Sequence, residues 1–178
     1  MPSLYKWLLV CLLPLLAAST PIDSNTLDRG DGVYVHNKDG QIIDFVPIAE
    51  LHSKNTNTNA SIVPEETSSL EERKLAFEMK CFKATFDTND KRVGLQDLGD
   101  IMDRYKTLEG GGSLVYTYYT AVLYACNYST SRINLSRGTS NKVHSNLDSK
   151  CGSNTAARGD YKSGLSYGRT KKGKPYCN

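Results

Sequence analysis

The cysteines of this chain, read together with its first residues, place the strongest constraint on its fold. The chain opens with MPSLYKWLLVCLLPLLAAST, in which one lysine precedes an apolar stretch that ends in small residues. This order is typical of a secretory signal peptide, so we assign residues 1–19 to it, with cleavage after Ala18 or Ser19. Cys11 leaves with the signal, and four cysteines remain: Cys81, Cys126, Cys151 and Cys177. An even number in an oxidising compartment predicts two disulfides rather than thiol chemistry or a zinc site.

Four cysteines allow three pairings. We favour Cys81–Cys177 with Cys126–Cys151, because the first bond would tie the two ends of the domain together. After the signal, no stretch approaches the roughly 20 apolar residues that a membrane helix requires. We therefore expect a secreted, extracellular protein with no transmembrane segment.

Charge divides the exported chain into two parts. Residues 20–72 carry ten acidic and three basic residues, whereas residues 73–178 carry eighteen basic and nine acidic ones. The stretch LHSKNTNTNASIVPEETSSLEERK is rich in polar residues and poor in aromatic ones, a composition that predicts disorder. It ends in the dibasic pair Arg73-Lys74, a candidate processing site for a kexin-type protease. We interpret residues 20–74 as an acidic, largely disordered propeptide that screens the basic domain before release; a tail that stays attached is the alternative.

One part of this acidic segment carries a local structural signal. GVYVHNKDGQIIDFVPI alternates enough to predict a short hairpin around Lys38-Asp39-Gly40.

Residues 75–178 suit one small domain whose limited core is supplemented by disulfides. MKCFKATF alternates and predicts a strand, while VGLQDLGDIMDRYKTLEGGG has helical spacing and ends in glycines. The run from Leu114 to Thr130 predicts one long central strand or two short ones. A second helix fits TSNKVHSNLDSKCG, with Val143, Leu147 and Cys151 facing inward. Short strands around Tyr161 and Leu165–Tyr167 complete an α+β fold, with a small, mostly antiparallel sheet and two helices packed on one face.

The carboxyl-terminal part carries basic residues interleaved with tyrosines, which we take as a candidate binding patch. Its members are Arg158, Lys162, Tyr167, Arg169, Lys171, Lys172 and Lys174. Such a patch can bind phosphate groups, anionic lipid, acidic polysaccharide or an acidic protein. The tyrosines of the Leu114–Thr130 run are predicted to be packing residues, because stacking on nucleic acid would favour interleaved bases and this run has none. Arg158-Gly159-Asp160 spells the integrin-recognition tripeptide, but we expect an ordinary turn there.

Three glycosylation sequons occur, at Asn59, Asn127 and Asn134. The last two follow the central strand run, so we expect their loop to lie at the surface and to accept glycans.

The residues of the basic part give little support to a catalytic function. A guanyl-specific ribonuclease needs two proton-transfer groups and an arginine, and the basic part offers His144 with only Glu78 and Glu109. His144 is expected at the surface or at a satisfied boundary position. Asp97, Asp100 and Asp103 recur at helical spacing, and a solvated helix face is a simpler interpretation than a metal site. We expect a non-enzymatic protein with no catalytic residue, no cofactor and no metal; a protease inhibitor remains open.

Three stretches carry a family resemblance: AVLYACNYS, a helix ending in LDSKCG, and a terminal YGRTKKGKPYC. Together they resemble small secreted proteins of filamentous fungi, some of them effectors of plant pathogens or similar to killer toxins with an α/β-sandwich fold. The resemblance covers roughly Cys81 to Cys177 and implies a signal peptide, a kexin-type propeptide and a basic disulfide core.

What this resemblance implies is a secreted fungal effector or toxin-like protein that binds a host or competitor molecule. The expected partner is a host or competitor protein or an anionic surface, with a second secreted effector as an alternative and nucleic acid less favoured. Two other functions stay open: a ribonuclease-like protein, active or degenerate, that binds RNA through its basic end, and a toxin that acts on membranes.

Overall fold

The computed structural model describes residues 29–55 and 77–177. The predicted signal peptide, the Arg73-Lys74 pair and the Asn59 sequon lie outside these ranges. In chain order the elements are β1 (Gly32–His36), β2 (Ile42–Pro47), α1 (Ile48–Asn55), β3 (Phe77–Thr85), α2 (Thr88–Tyr105), β4 (Thr107–Leu108), β5 (Ser113–Tyr118), β6 (Ala121–Asn127), β7 (Ile133–Asn134), α3 (Arg137–Cys151), β8 (Thr155–Tyr161) and β9 (Leu165–Lys171).

The main sheet has seven strands in the order β2-β1-β5-β6-β9-β8-β3. Every pairing within it is antiparallel. Helices α2 and α3 pack on one face over a core that includes Leu98, Leu123 and Leu147, and Leu51 of α1 joins the same core. The predicted α+β class, with a mostly antiparallel sheet and two helices on one face, is confirmed, and the short helix α1 is a third.

The tyrosine-rich run forms two strands rather than one. β5 and β6 are joined by Tyr119 and Thr120, and Tyr119 has a positive φ of 45°, which a tight turn requires. All seven residues of β6 are buried, because helices cover one face of the sheet and the C-terminal tail covers the other.

Helix α2 begins earlier than the apolar periodicity predicts. The Asp87 side chain accepts hydrogen bonds from the backbone N–H groups of Asn89 and Asp90, which makes Asp87 the N-cap and places Thr88 to Lys91 in the first helical turn. Gly94 lets this helix approach the sheet, since a Cβ there would lie 2.7 Å from side-chain atoms of Leu123 and Tyr116. The predicted helix is therefore correct in type and extends further at its amino end.

Residues 172–177 cross the second face of the sheet. Tyr176 is fully buried there in a cluster with Tyr34, Val122 and Tyr124. The ring of Tyr124 lies over Gly168, where a Cβ would come within 2.4 Å of it. The tail thus closes a second, smaller core.

The favoured disulfide pairing is wrong. Cys81 bonds to Cys151, with 5.5 Å between Cα atoms, and Cys126 bonds to Cys177, with 5.6 Å. The first bond joins the edge strand β3 to the last residue of α3, and the second anchors the tail to β6. The prediction of two disulfides is confirmed, but the tail crosses the face opposite the helices and so reaches Cys126 instead of Cys81.

The predicted hairpin of the acidic segment is present, with Asn37 and Gln41 flanking its turn. The described part of that segment, residues 29–55, is not disordered: β1 pairs with β5 and lies inside the main sheet. Disorder was expected because the composition of the segment is polar on average, whereas its apolar residues are concentrated in β1 and β2.

Candidate functional site

The fold separates the members of the candidate binding patch. Tyr167 and Arg169 are fully buried. Lys162 follows β8 at one end of the sheet, while Lys171 ends β9 at the opposite end and Lys172 and Lys174 follow it. The patch predicted from the sequence is therefore not one surface.

Arg169 holds the carboxyl end of α3 against the sheet. Its guanidinium donates to the carbonyl oxygens of His144 (3.3 Å), Gly152 (2.8 Å) and Thr155 (2.9 Å), and to Oδ1 of Asp148 (2.5 Å). The Gly152 carbonyl directly follows the last residue of α3, so a buried cation beside it adds a donor at the end of the helix and complements the helix dipole. Arg169 is a structural residue, which could not be predicted from the sequence because its partners are 14 to 25 residues away along the chain.

Lys91 reaches the same carboxylate from α2. Its Nζ lies 2.8 Å from both carboxylate oxygens of Asp148, and the lysine is only 4% exposed. Lys91 of α2 and Arg169 of β9 are both buried, and both pair with the partly exposed Asp148 of α3. This network therefore links the three elements.

His144 lies beside this network and is buried, contrary to the surface or satisfied position expected for it. Neither of its ring nitrogens has a hydrogen-bond partner within the part of the chain that the structure describes. Burial lowers its pKa to about 3, and the nearby charges of Arg169 and Lys91 act in the same direction. In this conformation the ring is neutral at ordinary pH and out of reach of solvent.

Arg158 and Asp160 lie within strand β8 and not in the expected turn. Their side chains form an ion pair at 2.8 Å, and the Arg158 guanidinium also sits 6.0 Å from the centre of the Tyr128 ring. Gly159, between them, points toward α3, where a Cβ would lie 2.8 Å from Val143. The tripeptide is thus paired within the sheet.

The remaining basic residues form a turn that we call the basic turn, Lys171–Lys174. The N–H of Lys174 donates to the carbonyl of Lys171 (3.1 Å), and Gly173 supplies the positive φ of 83° that the turn requires. The N–H of Lys172 donates to the carbonyl of Thr120 (2.9 Å), which fixes the basic turn beside the β5–β6 turn.

Tyr119, on the neighbouring turn, is 66% exposed. Asp31 holds the two turns together, because it accepts from the N–H of Tyr119 (2.9 Å) and pairs with Nζ of Lys172 (2.6 Å). The result is an exposed surface of three lysines and one tyrosine on fixed backbone. Neither Tyr119 nor Asp31 was singled out from the sequence. For Tyr119, the available signal was the length of the Leu114–Thr130 run, which allowed two short strands with a turn between them. No signal pointed to Asp31.

The expected solvated face is wrong for Asp97, whereas Asp100 is partly exposed and Asp103 is exposed. Asp97 is buried and accepts from the Tyr116 hydroxyl at 2.7 Å, and its other neighbour is Nε2 of His52 at 3.0 Å. Asp100 and Asp103 both pair with Arg137 of α3. Within residues 29–55 and 77–177, no three His, Cys, Asp or Glu side chains are grouped so as to hold a metal ion.

The two described sequons differ. Asn127 is buried, and its amide donates to the carbonyls of Leu108, Glu109 and Ser131 at 2.8–3.0 Å. A glycan on that nitrogen is incompatible with this fold, so the surface position predicted for Asn127 is wrong. Asn134, in β7, is exposed.

Comparison with known proteins gives no relative. No protein-family model, no curated protein and no solved structure matches the chain. Among the described helices, none is long and apolar enough to cross a membrane.

Proposed function

We propose that the protein is a secreted, non-enzymatic fungal effector or toxin-like protein that binds an anionic surface of a host or competitor molecule through the basic turn and Tyr119. The observation that carries this proposal is the fixed juxtaposition of Lys171, Lys172 and Lys174 with an exposed tyrosine. Lysines supply long-range attraction, and an exposed aromatic ring supplies contact area at low entropic cost.

Three acids lie near the basic turn, and each is engaged: Asp31 pairs with Lys172, Asp87 caps α2, and Asp90 accepts hydrogen bonds from Thr120. Their charges offset part of the lysine charge. The support for binding therefore comes from the fixed position of the lysines beside an exposed ring and not from net charge.

The burial of two histidines supports a binding function rather than a catalytic one. His144 and His36 are buried, and His52 lies 3.0 Å from the buried Asp97. A general base must come within hydrogen-bond distance of its substrate, and two of these three rings have no access to solvent in this conformation.

The test is binding to vesicles that contain anionic lipid, with the secreted protein carrying Lys171→Ser and Lys174→Ser. Near an anionic surface each lysine contributes about 1 kcal/mol, so binding should weaken roughly thirtyfold for the pair. The matched control carries Lys38→Ser and Lys162→Ser, which removes the same charge from exposed positions away from the basic turn.

The control variant should bind almost as the unmodified protein does, and binding should weaken as salt rises. Equal loss in both variants would show that only net charge matters and would overturn the site. Tighter binding to single-stranded RNA than to vesicles, together with RNA cleavage, would replace the proposal with the ribonuclease-like alternative.

A further inference from the structure

Strand β1 of the acidic segment is an interior strand of the sheet. It pairs with β2 on one side and with β5 on the other, in a register that runs from Gly32↔Thr117 to His36↔Ser113. All five residues of β1 are buried. If β1 were absent, β5 would become a sheet edge with unpaired backbone groups, which is an unfavourable surface for a folded protein.

The side chains of this segment complete both cores. Val33, Val35, Val46 and Leu51 belong to the core beneath the helices. Tyr34 belongs to the core beneath the C-terminal tail, with Phe45 packed against it. Removal of the segment would expose these two cores at once.

Polar contacts hold the segment at several places. Asp31 pairs with Lys172, and the N–H of Gly32 donates to the Thr117 hydroxyl at 3.2 Å. His52 of α1 lies 3.0 Å from Asp97 of α2, and the Tyr105 hydroxyl of α2 donates to Asp44. The contacts therefore span the segment from its first described residues to α1.

No covalent bond besides the chain itself holds the segment in place. Residues 20–74 contain no cysteine, and both disulfides lie within residues 81–177. Cleavage between residues 55 and 77, for example at Arg73-Lys74, would leave two polypeptides joined only by strand pairing and side-chain packing.

We infer that the acidic segment is a strand-donating subunit of the mature protein, and that cleavage between residues 55 and 77 produces a stable non-covalent complex of two chains. The acceptor is the β5 edge of the disulfide-bridged part, and its partner is residues 29–55 of the same molecule. Main-chain pairing with alternate side chains buried in two cores is the form of recognition by which an added strand binds a sheet edge. The inference does not depend on the proposed binding surface, because it concerns how the molecule is held together.

The test uses the full exported chain, cut in native buffer. One preparation is cut by a kexin-type protease at Arg73-Lys74, and a second by a site-specific protease whose recognition sequence replaces residues between 60 and 70. Denaturing, non-reducing electrophoresis confirms the cut, and native mass spectrometry with size-exclusion chromatography then reports the assembly. The inference predicts one species with the mass of both chains, eluting where the uncut protein elutes. Elution of the acidic chain apart from the disulfide-bridged chain overturns it.

A matched pair of substitutions tests the strand itself. Val33→Ala shortens a fully buried side chain of β1, whereas Ile43→Ala shortens a side chain of β2 that is 60% exposed. After cutting, the Val33→Ala complex should exchange its acidic chain for a labelled copy at least about tenfold faster than the Ile43→Ala complex, because the substitution removes two buried methyl groups and each is worth roughly a factor of four. Equal exchange rates would contradict the role assigned to β1.

Discussion

Asp31 and Lys172 are 141 residues apart in the sequence, and their side chains form an ion pair with 2.6 Å between Oδ1 and Nζ. Asp31 comes from the acidic part of the chain and Lys172 from the basic turn. Both are partly exposed, so the pair itself contributes at most about 1 kcal/mol. The pair matters for its position, because it connects the strand-donating segment to the basic turn, for which we propose binding.

Reduction should open the two disulfides in a fixed order. Cys81 is exposed on β3, whereas Cys126 and Cys177 are 2% and 6% exposed. Thiol exchange requires access to a sulfur atom, so mild reductant should label Cys81 and Cys151 first. Alkylation followed by peptide mapping measures this, and the same map without reductant reports the pairing. A peptide joining Cys81 to Cys177 would contradict the fold.

Loss of Arg169 should destabilise the protein strongly. Arg169→Met removes four hydrogen bonds that the guanidinium donates in a buried setting, including its ion pair with Asp148, and removal of one partner of a buried ion pair costs about 3 kcal/mol or more. Urea unfolding should show this as a lower midpoint. Lys171→Met, two residues along the same strand and exposed, should change the midpoint little; equal effects would argue against the assigned role of Arg169.

Stability should fall in acid because of the buried histidines. Burial lowers the pKa of His36 to about 4 and that of His144 to about 3. In the unfolded chain a histidine has a pKa near 6.5, so between about 6.5 and these values the unfolded state binds more protons and stability falls as the pH falls.

His144→Leu removes one of these titrations. It should therefore make the decline of unfolding free energy between pH 6.5 and 4 shallower, as urea unfolding at several pH values would show. An unchanged slope would mean that His144 is not buried in its neutral form.

The two described sequons should behave differently. When the chain is expressed through a secretory pathway, Asn134→Gln should remove one glycan if this exposed site is occupied, whereas Asn127→Gln should leave the glycan mass unchanged. Asn127→Gln should instead lower stability by about 1–3 kcal/mol, because three carbonyls lose a buried donor. Intact mass with thermal unfolding separates the two effects, and a glycan found on Asn127 would contradict the structure.

Local signals in the sequence were sufficient for the strands of the main sheet, for α2 and α3 and for the fold class, but not for α1, β4 and β7. The hairpin at Lys38-Asp39-Gly40 follows from turn residues between alternating strands, and α3 ends at Cys151, with Gly152 as the C-cap that the sequence TSNKVHSNLDSKCG offers. These features depend on residues close together in the chain, so periodicity and capping residues are enough to find them.

Contacts between residues far apart in the sequence could not be predicted from such local signals. Strand β1 pairs with β5 across about eighty residues of sequence. The average composition of the acidic segment is polar, so it gave no indication that β1 lies inside the sheet. Arg169 has the chemistry of a surface residue, and only the position of the α3 carboxyl end makes it structural. The disulfide partners depend likewise on which face of the sheet the tail crosses.

Hydrogen exchange of the uncut, exported protein tests the central claim most directly, since that claim is that β1 is an interior strand. Amides paired in a sheet exchange only when that part of the structure opens. We predict that the amides of Val33, Tyr34 and Val35 are protected to a similar degree as those of Val122 and Leu123 in β6. Exchange of the β1 amides at the rate of an unstructured peptide, with β6 still protected, would contradict the account.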